Sequence, residues 1–350
     1  MESAIPPHLR CPRTRLKRSA DDYQPPVPAW TARGDIAIEQ VVMGYYGVQW
    51  RPGEEARAAA ASATIDGQLE NALGASAVER ARYTDPQGYE NQVHIVYWTN
   101  VDDYRHFAED QAVEAWWRSS ERESDSVGVF REVFSPRITH METLYNAPDY
   151  LVGAGSALGR HSDSDVQEHA YWGGMRDRMP ISQTDPLAVS GTVSAHPDAT
   201  PARVRVVGHD NIAVIRSGQD WTKTSGTERD LFLSKMVPTL RAGMDFLSTQ
   251  GLDIGCYTNR LMQNVDATGT LLDRAFGLGY WRSLEDMEAW AEHHPTHVAI
   301  FEGFMNIAQA LKGQFDLRLY HEVCVVKSDQ QLLEYIGCHG KTGLMAAIAA

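Results

Sequence analysis

The four cysteines, Cys11, Cys256, Cys324 and Cys338, are scattered, with no CxxC pair and no CxxCH. This removes a zinc knuckle and covalent haem attachment, and it fits a reducing cytoplasm better than a disulfide framework. GxGxxG, the P-loop pattern and HExxH are also missing, so dinucleotide, nucleoside triphosphate and zinc-protease readings lack support. The absence of GxSxG excludes a hydrolase nucleophile elbow. Positive charge is in short supply: 32 Lys and Arg stand against 46 Asp and Glu, and the net charge of -14 repels phosphate backbones. Nucleic acid is therefore not an expected partner. Near the end, the longest apolar run, Leu344 to Ala350, is too short to span a bilayer. The one basic cluster, Arg10, Arg13, Arg15, Lys17 and Arg18, lies in a Pro-rich polar leader without the apolar centre of a signal or membrane anchor.

What is present is ordinary for a soluble globular protein: 350 residues, 43% apolar and 22% charged. A chain this long buries roughly 75% of its unfolded surface and needs no staples. Residues 1–33 read as an extended arm rich in Pro and charge. From Ile36 the run IAIEQVVMGYYGVQW reads as a strand, and the Ala-rich segment after Pro52 reads as a helix to about Leu73.

Further along, the chain resembles itself. Tyr97-Trp98, Asp103 and Phe107 match Tyr280-Trp281, Asp286 and Trp290 at one constant spacing. GVQW (Gly47 to Trp50) returns as GQDW (Gly218 to Trp221), and FREV (Phe130 to Val133) as YHEV (Tyr320 to Val323), in the same order. Each half reads strand, helix, strand, strand, helix, strand, the order of a split βαβ, ferredoxin-like unit. The expected fold is thus α+β: two duplicated ferredoxin-like units, 34–150 and 205–350, forming a barrel-like core with flanking helices. The Gly-, Ser- and Asp-rich region 151–204 joins them as a functional loop region.

The halves differ where imidazoles appear. His321 falls where the first half has Arg131, and His297 where it has Glu114. In HHPTHVAIFEGFMNI, Pro295 suits a first helical turn, and His297, Ile300, Phe301 and Phe304 then share a face. Such a histidine is either a satisfied core residue or a neutral ligand to a metal or haem iron. His321 shares a strand face with Leu319, Val323 and Val325. It reads either as a hydrogen-bonded interior residue or as a general acid/base. Ser217, before Gly218, is by itself a turn serine. The loop YWGGMRDRMPISQTD, with Arg176 and Arg178, either carries surface ion pairs or approaches something closely. Pro28, Trp30, Met43, Phe304 and Met305 suggest an apolar pocket.

The combination EQVVMGYYGVQW, EHAYWGGMRDRMPISQTD, GHDNIAVIRSGQDW, GYWRSLEDMEAWAEHHPTHVAIF and LRLYHEV resembles the haem-containing aldoxime dehydratases, the phenylacetaldoxime dehydratase family, over nearly the whole chain. The resemblance implies haem b, active as Fe(II), in a homodimer related to the dimeric α+β barrels. It further implies conversion of an aldoxime, R-CH=N-OH, to a nitrile and water. HPTH implies His297 as the iron ligand and LYHEV implies His321 as the acid/base. IRSGQDW implies Ser217 as a hydrogen-bond donor, MRDR implies Arg176, and METLY implies Glu142, as further catalytic residues. The alternatives are a haem peroxidase or chlorite-decomposing enzyme, which dimeric α+β barrels also host, and a haem-binding protein without catalysis.

Overall fold

A computed structural model describes residues 1–169, 174–197 and 199–348. Tyr171, Trp172 and Gly173 of the YWGGMRDR motif lie outside the described residues. The arm reaches β1 (Ala32–Arg33), followed by β2 (Val42–Trp50), α1 (Glu55–Glu70), β3 (Glu79–Thr84) and β4 (Glu90–Trp98). Helices α2 (Val101–Ala108), α3 (Gln111–Arg118) and α4 (Glu121–Ser124) lead to β5 (Gly128–Phe134) and β6 (Met141–Tyr145). The middle of the chain holds α5 (Ala154–Leu158), β7 (Arg160–His161), α6 (Gly174–Arg178), β8 (Ser194–Ala195) and β9 (Arg203–Val207). Next are β10 (Ile212–Asp220), α7 (Gly226–Leu231), α8 (Val237–Gln250), β11 (Cys256–Val265) and β12 (Leu271–Trp281). The chain then forms α9 (Leu284–His293), α10 (Pro295–Ala310), β13 (Arg318–Val326) and β14 (Gln331–Ile336).

The fold is α+β, built on one large antiparallel sheet of twelve strands in the order β6-β13-β10-β12-β11-β3-β4-β2-β5-β14-β9-β8. β1 and β7 form a separate ribbon. Two boundaries differ from the sequence reading. The first strand begins at Val42 rather than Ile36, because Asp35 accepts from the Ala37 amide and starts a turn. The first helix stops at Glu70 rather than Leu73: the Asn71 side chain folds back onto the Gly67 carbonyl, and Gly74 takes a left-handed conformation that ends the run.

The sheet bends so that its two ends pack face to face. Inward-facing Met43, Tyr45, Ile95, Tyr97 and Phe134 meet Val214, Phe276, Tyr280 and Val326 in one apolar core. Met43 belongs to this core and not to a pocket. The polar contacts across the core are reciprocal: Tyr97 Oη donates to Glu322 (2.5 Å), and Tyr280 Oη donates to Glu132 (2.6 Å). Glu132 also accepts from Tyr335 Oη at 2.7 Å and lies 2.7 Å from Arg260 Nη1.

On the outer face of β2 and β4, helices α1 and α3 close tightly over Tyr46, Trp98, Phe107 and Trp117. On the outer face of β10 and β12, helices α8 and α10 stand further off. A π-helical turn, Phe232–Met236, precedes α8; Pro238 has no amide to continue the regular ladder. The gap left there is where the candidate site lies.

Removing one partner from a fully buried ion pair leaves an uncompensated charge. Glu132→Ala should therefore lower stability by about 3–5 kcal/mol, read as a shifted urea midpoint. Glu132→Gln, which keeps hydrogen-bond acceptance, should cost less.

Candidate active site

A cavity of about 740 Å³ lies between the outer face of β10 and β12 and helices α8 and α10. Its walls are mainly apolar, with Met236, Leu240, Met244, Met287, Ile300 and Phe304 among them. Pro28 and Met305, two of the residues expected to form an apolar pocket, also line it. Its floor has short side chains, because Ser217 and Gly277 face one another across β10 and β12. The arm supplies one wall through Tyr23 and Pro26 to Ala29.

His297 enters from the first turns of α10. That helix starts where the sequence places it: Pro295 occupies the opening turn and the His294 side chain caps the Thr296 amide. His293 is exposed. The His297 ring packs on Trp290 at 4.5 Å between centroids. Its Nδ1–H donates to the Ala291 carbonyl at 2.8 Å, so the lone pair is on Nε2. Burial pushes this imidazole down to about 4, against the opposing effect of the Ala291 hydrogen bond. The ring therefore stays neutral near neutral pH, the form a metal ligand must have. Among the described residues no three His, Cys, Asp or Glu side chains form a metal cage. A single neutral imidazole in an apolar cavity fits an iron whose other, protein-independent ligands a porphyrin would supply.

His321 lines the same cavity from β13. It stands directly opposite Ser217 in the β10–β13 register, and such cross-strand neighbours lie about 4.5–5.5 Å apart at Cβ. On its other side β13 pairs with β6, which places Glu142 opposite Val323. The Glu142 Oε1 lies 3.0 Å from His321 Nε2. Arg178 completes the group: Nε donates to Glu142 Oε2 at 2.7 Å, Nη2 lies 3.3 Å from Oε1, and Nη2 is also 2.9 Å from His321 Nε2. Burial alone would raise the Glu142 carboxyl, but the Arg178 guanidinium and His321 hold it below the usual carboxylate range.

The arginine beside His321 is thus Arg178, and Arg176 lies elsewhere. Arg176 points to α9, where Nη2 and Nε bind Glu288 at 2.8 and 3.0 Å. Residues two apart on a helix cannot face the same way, so only one arginine of MRDR can reach the cavity. The pattern held a usable signal: Met175 and Arg178, three apart, share the buried side of α6 and both line the cavity. His169 is a second residue the sequence reading passed over. It lines the cavity, its Nδ1–H donates to Val27 at 3.0 Å, and burial, then the Arg178 charge, pushes it down to about 4.

The sequence profile of the haem-containing dehydratases matches residues 44–344. The chain belongs to that family. It is similar over its whole length to an aliphatic aldoxime dehydratase from Rhodococcus globerulus, 46% identical with 99% of this chain and 98% of that one covered. A phenylacetaldoxime dehydratase from Bacillus sp. (strain OxB-1) is 29% identical, covering 94% of each chain. Among solved structures, an aldoxime dehydratase in complex with butyraldoxime superposes with a TM-score of 0.95. It is 44% identical, over 99% of this chain and 96% of that one.

The two depressed histidines fix an acid limit. Between the usual 6.5 and about 4 the unfolded chain binds protons that folded His297 and His169 refuse. Stability therefore falls as pH drops through that window and is fully present above it. In an acid titration followed by the haem absorption band, haem should stay bound well below about pH 6 and be lost only at or below about pH 4, since a bound iron further opposes protonation of His297. A midpoint at the usual histidine value would contradict a buried, neutral His297. His297→Ala should abolish haem retention.

Proposed function

We propose that this chain dehydrates aldoximes to nitriles in the cavity beside His297, using His321 as acid and then as base. The observation that carries the reading is the double contact at His321 Nε2. One ring nitrogen cannot donate to Glu142 and accept from Arg178 at the same time. Nε2–H donates to Glu142 in the imidazolium and in one neutral tautomer; in the other tautomer the Nε2 lone pair accepts from Arg178. Every protonation state of His321 thus finds a partner, which suits a group that must release a proton and then take one back.

The reaction demands that exchange. In R-CH=N-OH the N–O bond breaks, the departing hydroxyl takes a proton to become water, and the carbon loses its hydrogen as C≡N forms. Bound at His297, ferrous haem would supply an electron-rich iron for the oxime nitrogen. His321 Nδ1 makes no hydrogen bond to any described residue, and the ring lines the cavity. With Glu142 on Nε2, Nδ1 is the position that delivers the first proton and collects the second. Ser217, opposite His321 in the strand register, would donate to the oxime oxygen and hold it in line.

Two rivals are less well supported. A haem carrier gains nothing from a buried carboxylate–guanidinium pair turned on a cavity histidine, since ion-pair desolvation is costly. A peroxidase is favoured by a strongly basic proximal ligand, whereas Nδ1 of His297 meets a backbone carbonyl, a weaker acceptor than a carboxylate. The same proposal includes non-covalent haem b, a cytoplasmic homodimer, and a duplication of ferredoxin-like units over 34–150 and 205–350. The repeated strand arrangement, β13-β10-β12-β11 beside β5-β2-β4-β3, supports the duplication. The four cysteines, all unbridged, are compatible with a reducing compartment. No helix among the described residues is long and apolar enough to cross a membrane.

The test is an anaerobic absorption spectrum of the haem-loaded, dithionite-reduced protein before and after butyraldoxime and phenylacetaldoxime, with nitrile quantified from the same sample. A spectral shift with nitrile formation is expected; neither change would sink the reading. His321→Ala should keep its haem and lose about 10²–10⁴-fold in turnover.

A further inference from the structure

The proposed roles of Arg178 and His321 raise the question of what holds Arg178 in place. Helix α6 is a single short turn in a region of little regular structure, yet its side chain must keep two contacts within hydrogen-bond distance. Each residue of Arg176-Asp177-Arg178 goes to a different place. Arg178 also donates through Nη1 to the Glu168 carbonyl at 2.7 Å. Arg176 ties α6 to Glu288 on α9. Asp177 is buried and turns to the N-terminal arm, where it accepts from the Arg18 amide at 2.9 Å, the Ser19 amide at 2.8 Å and the Ser19 hydroxyl at 2.7 Å.

The arm repeats this grip on either side. Upstream, the Glu168 side chain accepts from Ser3 Oγ at 3.0 Å and the Ala4 amide at 2.7 Å. Downstream, Gln183 accepts from the Cys11 amide through its side chain and from the Thr14 amide through its carbonyl. Arg18 reaches Glu292 at 2.6 Å and lies 3.8 Å from Glu288, the carboxylate that holds Arg176. The backbone on both sides of Arg178 is therefore clasped by a segment more than 150 residues away in the sequence. Beyond Ser19 the same arm forms a wall of the cavity, where His169 holds the Val27 carbonyl.

We propose that the N-terminal arm is a working part of the active site, and that Asp177, latched to Arg18 and Ser19, is a positioning residue that aims Arg178 at Glu142 and His321. The neighbouring residue cannot shift without carrying Arg178 with it. Misplacement of a catalytic group by about 1 Å is enough to cost as much as a hundredfold in rate.

The test uses the haem-loaded full chain. Asp177→Asn keeps the shape but turns an NH2 toward backbone donors, so the latch opens. The expected result is a fall in kcat of about ten- to a hundredfold, with KM and haem content close to wild type. Arm amides at Arg18 and Ser19 should exchange faster with deuterium. The acid limb of the kcat–pH profile should move to higher pH, because Glu142 loses part of the guanidinium field that, with His321, keeps it ionised. Ser19→Ala, a gentler cut, should shift the same quantities by less, and it decides the matter if Asp177→Asn does not fold. Faster arm exchange with an unchanged kcat and acid limb would make the arm a mere cover and overturn the proposal, as would unchanged exchange. His321→Ala, run in parallel, separates the two claims. Wild-type turnover there would sink the site assignment, whereas an inactive His321→Ala beside a normal Asp177→Asn would sink only the latch.

Discussion

The site depends on one buried ion pair, Glu142 with Arg178. Neither group has much access to water, and bringing both out of solvent costs several kcal/mol per ion before any attraction is counted. Only two-point geometry and further hydrogen bonds make that arrangement tenable. Arg178 meets the carboxylate through both Nε and Nη2, and its Nη1 is satisfied by the Glu168 carbonyl. The pair then presents a fixed acceptor and a fixed donor to one nitrogen of His321. On the proposed role of His321 this is electrostatic preorganisation: the fold assembles the polar environment for a changing protonation state before any substrate arrives.

The chain order explains how the parts meet. β6 follows β5 in sequence yet pairs with β13, and β14 follows β13 yet pairs with β5. Each of these strands thus crosses to the opposite end of the large sheet. For β6 the crossing carries Glu142 to the edge of His321, a residue nearly two hundred positions later. The reciprocal Tyr97–Glu322 and Tyr280–Glu132 bonds show the same exchange inside the core. Burial raises the Glu322 carboxyl, and Arg216 and the Tyr97 hydroxyl offset part of that cost.

How far this was legible in the sequence depends on the range of the contact. Local rules located α10: Pro295 in the first turn, and apolar spacing that gives His297, Ile300, Phe301 and Phe304 one face. Alternation located His321 on its strand. Both resemblances, internal and to a family, rested on motifs of this local kind. The choice between Arg176 and Arg178 was different, because a two-residue separation states only that they diverge. The spacing of Arg178 three residues after Met175 marks a shared side, but which side faces the cavity is decided by long-range partners, Glu288 on α9 and Glu142 on β6. His169 escaped notice for a similar reason, since its significance comes from the Val27 carbonyl of the arm.

The internal sequence repeat also bears on why the cavity lies over β10 and β12 while the outer face of β2 and β4 is filled. Aligning GVQW with GQDW places Tyr46 where Ser217 stands, the Tyr-Trp motif spacing places Trp117 where Ile300 stands, and FREV places Arg131 where His321 stands. In the first half Tyr46 and Trp117 are buried against each other, 6.0 Å between ring centroids, and Arg131 lies over the Trp117 ring while binding Glu334. Large rings and a long cation fill the space between sheet and helix, and that core needs nothing from outside. In the second half the three places hold a serine, an isoleucine and an imidazole, which remove side-chain volume and add hydrogen-bonding groups. Filling such a void with protein would be worth a few kcal/mol of packing; leaving it open gives room for a large planar ligand instead. The second half therefore forgoes part of its own core, and binding a ligand that only the folded chain accepts would recover the lost stability by mass action.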